Sequence, residues 1–236
     1  MSAGPLTSAP RLLALDFETN GLWDLRHQPL PWPNFPVSVA VYSVSASGDV
    51  EPLYNSRISG ALAFNEWAAA HHPFTPLDLL GEPSLAEVIQ HLSALLQPND
   101  VICCHSVNYD LDRCLHNSCR QLGIPIPDLF SLRRFCTCRS PWAASAHDGN
   151  WLSLAGLCAM YGVKHPRAHS AEADALALAQ CMSKALRSEP GHSLGLGEGL
   201  RATLFGDVYD RITLLSEFLR EEQMKKDLQQ ERAFVG

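Results

Sequence analysis

The sequence predicts one α/β domain, a mixed β-sheet flanked by helices, with an additional C-terminal helix. Three observations support this prediction. Apolar segments of strand length come first, at residues 11–16, 37–44 and 52–58. Later strand-like segments alternate with segments of helical periodicity. A Gly-rich stretch at residues 188–199 then separates this pattern from a charged amphipathic segment. The chain of 236 residues is long enough for one substantial core and an appendage.

The first three strands are joined by two different connections. The turn "SASGD" predicts a hairpin between the second and third strands. Between the first two lies an aromatic loop, Trp23–Phe35, whose prolines discourage regular structure. Its aromatic rings could stack on unpaired bases, or the loop could fold back on the domain or contact a protein.

The rest of the domain alternates strands and helices. Ser84, Asn108 and Ser170 stand where helix N-caps are expected, and Gly123 where a helix ends. We predict strands at 100–106 and 129–135, and helices at 85–97, 108–122, 153–161 and 171–186.

Composition limits the classes of function. No apolar run is long enough to span a bilayer and no signal peptide is recognisable, so we expect a soluble intracellular protein, in the cytoplasm, with nucleus and organelles left open. The eight cysteines are then expected to be reduced thiols. A formal charge of -7 argues against a strongly basic nucleic-acid-coating surface. It does not argue against a nuclease whose carboxylates bind metal ions.

Carboxylates stand in three short segments. Asp16 and Glu18 are two residues apart on a strand, so their side chains share a face. They repel each other unless a cation such as Mg²⁺ or Mn²⁺ neutralises them, or unless they are solvated at the strand end. Asp110 follows a later strand, and His169 and Asp174 lie at the start of the last helix of the domain. Taken singly, each of these last three is also typical of helix initiation.

The order of these residues, D-x-E, then D, then H-x(4)-D, resembles the DEDDh 3'→5' exonucleases. This is the family of proofreading epsilon-type subunits, RNase T and the three-prime repair exonucleases. The matching motifs are "LDFETNGL", "CHSVNYD" and "HSAEAD", and the resemblance covers about residues 11–187. It implies an RNase H-like fold.

The resemblance also implies an activity. It implies metal-dependent hydrolysis of single-stranded DNA or RNA from a free 3' end, with release of nucleoside 5'-monophosphates. Asp16, Glu18, Asp110 and Asp174 would bind two divalent ions, Mg²⁺ or Mn²⁺. His169 would be the general base, since an imidazole accepts a proton near neutral pH. His165 precedes His169 at a spacing compatible with zinc, but we interpret it as a loop histidine.

Six further residues align with contacts that the family makes to the terminal nucleotide. Many relatives have His-Asn before the third acid, whereas this chain has His105-Ser106, which puts one substrate contact in doubt. Asp112 is a rival for Asp110 that we expect to face solvent. The predicted substrate-binding residues are Thr19, Asn20, Gly21, Leu22, His105 and Asn108.

We expect a flexible N-terminus at 1–10, the exonuclease domain at 11–187, a linker at 188–206 and the amphipathic helix at 207–236. That helix could mediate a homodimer or bind a protein partner; no membrane partner is expected. Two alternatives remain open: a catalytically weak nucleic-acid-binding or scaffold module, and a trimming or proofreading subunit of a larger complex.

Overall fold

A five-stranded mixed sheet is the centre of the fold. The computed structural model describes residues 10–21, 34–125, 127–138, 152–166, 168–188, 196–197 and 199–200. The strand order is β3-β2-β1-β4-β5. Strand β2 runs antiparallel to both of its neighbours, β1 and β3, whereas β4 runs parallel to both of its neighbours, β1 and β5. The strands are β1 Leu12–Thr19, β2 Pro36–Val44, β3 Val50–Arg57, β4 Val101–Cys104 and β5 Arg133–Cys136. The predicted α/β class and RNase H-like mixed sheet are confirmed.

Five α-helices flank this sheet within the described residues. Ser84 accepts a hydrogen bond from Glu87 N and caps α2, and Gly123, at φ +65°, ends α3 in a left-handed conformation that glycine adopts easily. The helices are α1 Glu66–His71, α2 Leu85–Leu95, α3 Asn117–Leu122, α4 Leu154–Tyr161 and α5 Ala171–Arg187. None of them is long and apolar enough to cross a bilayer.

The two faces of β1 belong to two separate cores, as the period of two along a strand requires. Leu12 and Ala14 pack with α4 and α5, whereas Leu13 and Leu15 pack with α2 and the segment after β4. Asp16 and Glu18 continue the row of Leu12 and Ala14. Their side chains therefore start from the face of the sheet that α5 covers.

Some predicted elements differ from the observed ones. Asn108 is not an N-cap but the first residue of a π-helical segment, Asn108–His116, which leads into α3. The predicted strand 129–135 begins as a 3₁₀ turn, Asp128–Ser131, before β5. Ser170 stands at the N-cap of α5, but its side chain makes no cap hydrogen bond. Helix α1 was not predicted.

All eight cysteines are free thiols, as predicted. The predicted C-terminal helix, most of the aromatic loop and most of the predicted linker lie outside the described residues, as do Leu22 and the predicted flexible residues 1–9.

Candidate active site

Four carboxylates meet at the carboxyl end of β1. Asp16 and Glu18 lie on β1 itself, and Asp110 follows β4, whose carboxyl end adjoins that of β1 because the two strands are parallel. Asp174 lies in the first turn of α5, the helix that covers this face. Glu18 and Asp110 are 6% and 4% exposed, so these acids have little contact with water.

Burial and mutual repulsion change the acidity of the cluster. Burial, and next the charges of Asp174 and Asp110, raise the pKa of Glu18 to about 8. Burial also raises the pKa of Asp110 to about 7, although hydrogen bonds from the backbone of Phe17 and Ser106 oppose this. The pKa of Asp16 is raised well above its ordinary value by burial and by the neighbouring acids. A cation bound beside these carboxylates would favour their ionised forms.

His169 completes the cluster from the loop before α5. Its φ of +67° is uncommon for a residue other than glycine and directs its backbone N–H to Asp174 Oδ2, at 3.2 Å. Donor atoms of Glu18, His169 and Asp174 all lie within 4.8 Å of one another. Burial lowers the pKa of His169, although the charge of Asp174 opposes this. The ring is therefore neutral at pH 7 and can accept a proton.

Helix α1 forms one wall of the site. The His169 ring packs edge-on against Trp67 and His71, with ring centroids 5.1 Å and 4.9 Å away. His72 is buried, and its Nε2 donates to the Thr19 carbonyl at 2.8 Å, while its Nδ1 lies 3.9 Å from Glu18 Oε2. This wall was not predicted, because α1 itself was not predicted.

Three of the predicted substrate-binding residues shape the turn after β1. The Thr19 hydroxyl donates to the Gly21 carbonyl at 2.7 Å and lies 3.0 Å from the Tyr109 hydroxyl. The Asn20 backbone N–H donates to the Phe35 carbonyl at 2.9 Å. A Cβ on Gly21 would come within 2.6 Å of the Asn65 side chain, so the glycine allows this turn to approach the N-cap of α1.

His105 and Asn108 lie on the segment after β4. His105 Nε2 donates to the Leu152 carbonyl at 2.8 Å, and its Nδ1 lies 3.0 Å from the Thr137 hydroxyl. Burial lowers the pKa of His105 to about 4. Both ring nitrogens are thus engaged within the protein. Asn108 is half-buried at the start of the π-helical segment.

Two residues from the sequence analysis have partners that the sequence did not indicate. Asp112 faces outward, 43% exposed, and forms an ion pair with Arg134 at 2.9 Å. His165, interpreted as a loop histidine, bonds through Nε2 to Asp174 Oδ1 at 2.5 Å. The H-x(3)-H spacing placed His165 near His169, but contact with Asp174 could not be deduced from it.

Fold and site together define an RNase H-like domain with an acidic, histidine-containing site at the end of its central strand. Residues 13–182 match the model of the RNase T family, described as exonuclease. The match covers well over half of the chain, and the chain belongs to this exonuclease family, which confirms the resemblance found in the sequence. A search of curated proteins finds no match.

Solved structures of exonucleases share the fold. A 3'-exonuclease studied for 3'-end specific recognition of a histone mRNA stem-loop superposes with a TM-score of 0.55 at 11% identity, covering 75% of this chain and 81% of that one. Exonuclease I superposes with a TM-score of 0.61 at 16% identity, over 83% and 45%. E. coli exonuclease I in complex with a dT13 oligonucleotide superposes with a TM-score of 0.60 at 16% identity, covering 83% of this chain and 43% of that one. This chain spans less than half the length of exonuclease I.

Proposed function

We propose that the protein is a metal-dependent 3'→5' exonuclease that releases nucleoside 5'-monophosphates from a free 3' end. The observation that supports it best is the convergence of four carboxylates and one histidine beside the end of β1, three of the carboxylates with a raised pKa. Membership of the exonuclease family gives this cluster its chemical context.

The donor set fits divalent cations. Carboxylate oxygens are the ligands that Mg²⁺ and Mn²⁺ prefer, and the repulsion among buried acids is relieved when a cation binds. Asp16, Glu18, Asp110 and Asp174 would hold two such ions. Bound there, the ions would lower the pKa of water and neutralise charge on the phosphate.

His169 is the proton acceptor in this proposal. Its half-buried ring is neutral at pH 7 because burial lowers its pKa. Trp67 and His71 restrict the rotation of the ring, and the bond from its backbone N–H to Asp174 fixes the loop. A free ring nitrogen can therefore take a proton from the attacking water without a prior conformational change.

The proposed substrate is single-stranded DNA or RNA. One similar structure holds a DNA oligonucleotide, and another concerns an RNA stem-loop, so both DNA and RNA should be tested as substrates. Thr19, Asn20 and Gly21 would act by holding the turn after β1. The family resemblance assigns to Leu22, which lies outside the described residues, a contact with the terminal base. His105, with both ring nitrogens bonded, would support the site through Leu152 and Thr137 rather than donate to the substrate.

Hydrolysis of matched DNA and RNA strands, labelled at the 3' or the 5' end, tests the proposal. The strands are incubated with Mg²⁺, with Mn²⁺ and with EDTA, and the products of wild type are compared with those of Asp16→Ala and His169→Ala. We expect a metal-dependent ladder that shortens from the 3' end and is lost in both variants. Undiminished hydrolysis in both variants contradicts the proposal, and binding without cleavage by wild type favours the scaffold alternative.

A further inference from the structure

The proposed mechanism assigns no role to the contact between His165 and Asp174. His165 Nε2 lies 2.5 Å from Asp174 Oδ1, and the two side chains are only 9% and 12% exposed. An ionised carboxylate only accepts hydrogen bonds, so the proton lies on Nε2. The bond is shielded from water, and water competes with it little.

The same loop holds both oxygens of this carboxylate. Oδ1 accepts from His165, and Oδ2 accepts from the backbone N–H of His169 at 3.2 Å. Two donors on different oxygens fix the plane of the carboxylate as well as its position. Each oxygen keeps a second lone pair, which leaves it able to bind a cation.

The fixed carboxylate faces the other acids of the site. Its oxygen lies within 4.8 Å of the donor atoms of Glu18 and His169. Because the ligands of a small cation must converge within a few tenths of an ångström, free rotation of Asp174 would lower the affinity. A histidine that donates to a metal-ligating carboxylate supplies the orientation that such a ligand needs.

We propose that His165 is a positioning residue, which holds Asp174 in the orientation in which it binds a divalent cation together with Glu18. This inference rests on the proposed function for the presence of the cation. It adds to that function a residue that touches neither substrate nor metal and acts only through Asp174.

Direct binding of Mn²⁺ to the full chain, without nucleic acid, tests the inference. Titration calorimetry compares wild type, His165→Ala, His165→Gln and the control His91→Ala, which alters an exposed histidine on α2. Loss of such an outer partner typically weakens metal binding about 10- to 100-fold, and we expect this for His165→Ala. The amide of His165→Gln can donate to the carboxylate and should restore most of the affinity. His91→Ala should bind as wild type does.

Three results would overturn the inference. The first is an unchanged Kd for Mn²⁺ in His165→Ala. The second is an equal loss of Mn²⁺ affinity in His165→Ala and His165→Gln, together with unfolding temperatures in EDTA that are equally lowered in both variants. His165 would then only stabilise the loop. The third is no binding of Mn²⁺ by wild type.

Hydrolysis by the wild type, measured in parallel, separates this inference from the proposed function. A wild type that binds Mn²⁺ but cleaves no nucleic acid contradicts the proposed function, while the Kd series still decides the role of His165. A wild type that cleaves, beside a His165→Ala variant with unchanged Kd and unchanged metal dependence of cleavage, contradicts only the role of His165.

Discussion

Buried carboxylates lie near both ends of β1, but the groups that surround them differ. At the amino end, Asp100 has a fully buried side chain and accepts two hydrogen bonds from Arg11, at 2.9 Å and 2.8 Å, and one from Gln97 N–H at 2.8 Å. At the carboxyl end, the charges that raise the pKa of Asp16 and Glu18 are those of other carboxylates. One end satisfies its acid within the chain, whereas the other gathers acids that the proposed function assigns to a bound cation. Burial of an acid is thus a matter of stability at one end and of function at the other.

Neutralising one acid of the site should have the largest effect on activity. Asp16→Asn keeps the shape and removes the charge, so we expect a loss of hydrolysis of at least about 10³-fold, since several kcal/mol of transition-state stabilisation depend on bound metal. Stability should not fall, because repulsion is relieved. Single-turnover cleavage with Mn²⁺ measures the first effect, and thermal unfolding in EDTA measures the second, both at pH 8. If the variant cleaves normally, or unfolds at a clearly lower temperature, the acids at the carboxyl end of β1 do not differ in role from Asp100 at the amino end.

The opposite result is expected for Asp100. Asp100→Ala leaves the partly buried Arg11 guanidinium without its charged partner and should lower the free energy of unfolding by about 3 kcal/mol. Metal-dependent cleavage by the folded fraction should remain close to wild type. Urea unfolding measures the loss, with Asp49→Ala as a control, since that acid forms an exposed ion pair with Arg187. A similar, small effect in both variants would show that the buried pair contributes little.

The pH dependence of stability follows from the raised pKa values. The pKa of Glu18 is about 8 instead of 4.5, and the pKa of Asp110 is about 7 instead of 3.8. Both carboxyl groups therefore bind more protons in the folded than in the unfolded chain. Their stabilising contribution is complete below about pH 4 and is lost as the pH rises through 7 to 8. In EDTA the unfolding temperature should fall between pH 5 and pH 8, by about 3 °C per kcal/mol. Saturating Mn²⁺ should reduce or reverse this fall, and a profile that is the same with and without Mn²⁺ would count against a metal-binding cluster.

The smallest effect is expected for Asp112, the rival of Asp110 in the sequence. Its ion pair with Arg134 is partly exposed, and such pairs contribute about 0–1 kcal/mol. Asp112→Asn should therefore cleave as wild type does and unfold within about 0.5 kcal/mol of it. The matched variant Asp110→Asn, two residues away, should lose cleavage. Assays of the two variants side by side decide which of the two acids serves the site.

Much of the fold was predictable because its signals are local. Apolar runs of strand length predict β1 and β2, and Ser84 predicts the start of α2. Helix α1, only six residues long, has too few residues for a helical period to be visible. The π-helical segment also escaped prediction, since its composition is that of an ordinary helix start.

The ordered motif located the acids and His169, whereas their supports depend on tertiary contacts. His72 reaches Thr19 and Glu18 from a segment more than 50 residues away. His165 reaches Asp174, nine residues further on, only through the conformation of the loop before α5. No spacing in the sequence specifies either contact. The internal bonds of His105, to Leu152 and Thr137, could not be predicted for the same reason.

The position of Asp174 on α5 has a consequence for the order in which the protein matures. Asp16, Glu18 and Asp110 all precede it in the chain, and α5 is the last long helix among the described residues. During synthesis three of the acids emerge before the fourth, and the site is complete only when α5 packs against β1 and β2. Since a cation that binds only the complete site stabilises only the folded chain, its binding favours the finished domain over every shorter intermediate. Under the proposed function, the set of four acids therefore cannot form before α5 has been synthesised.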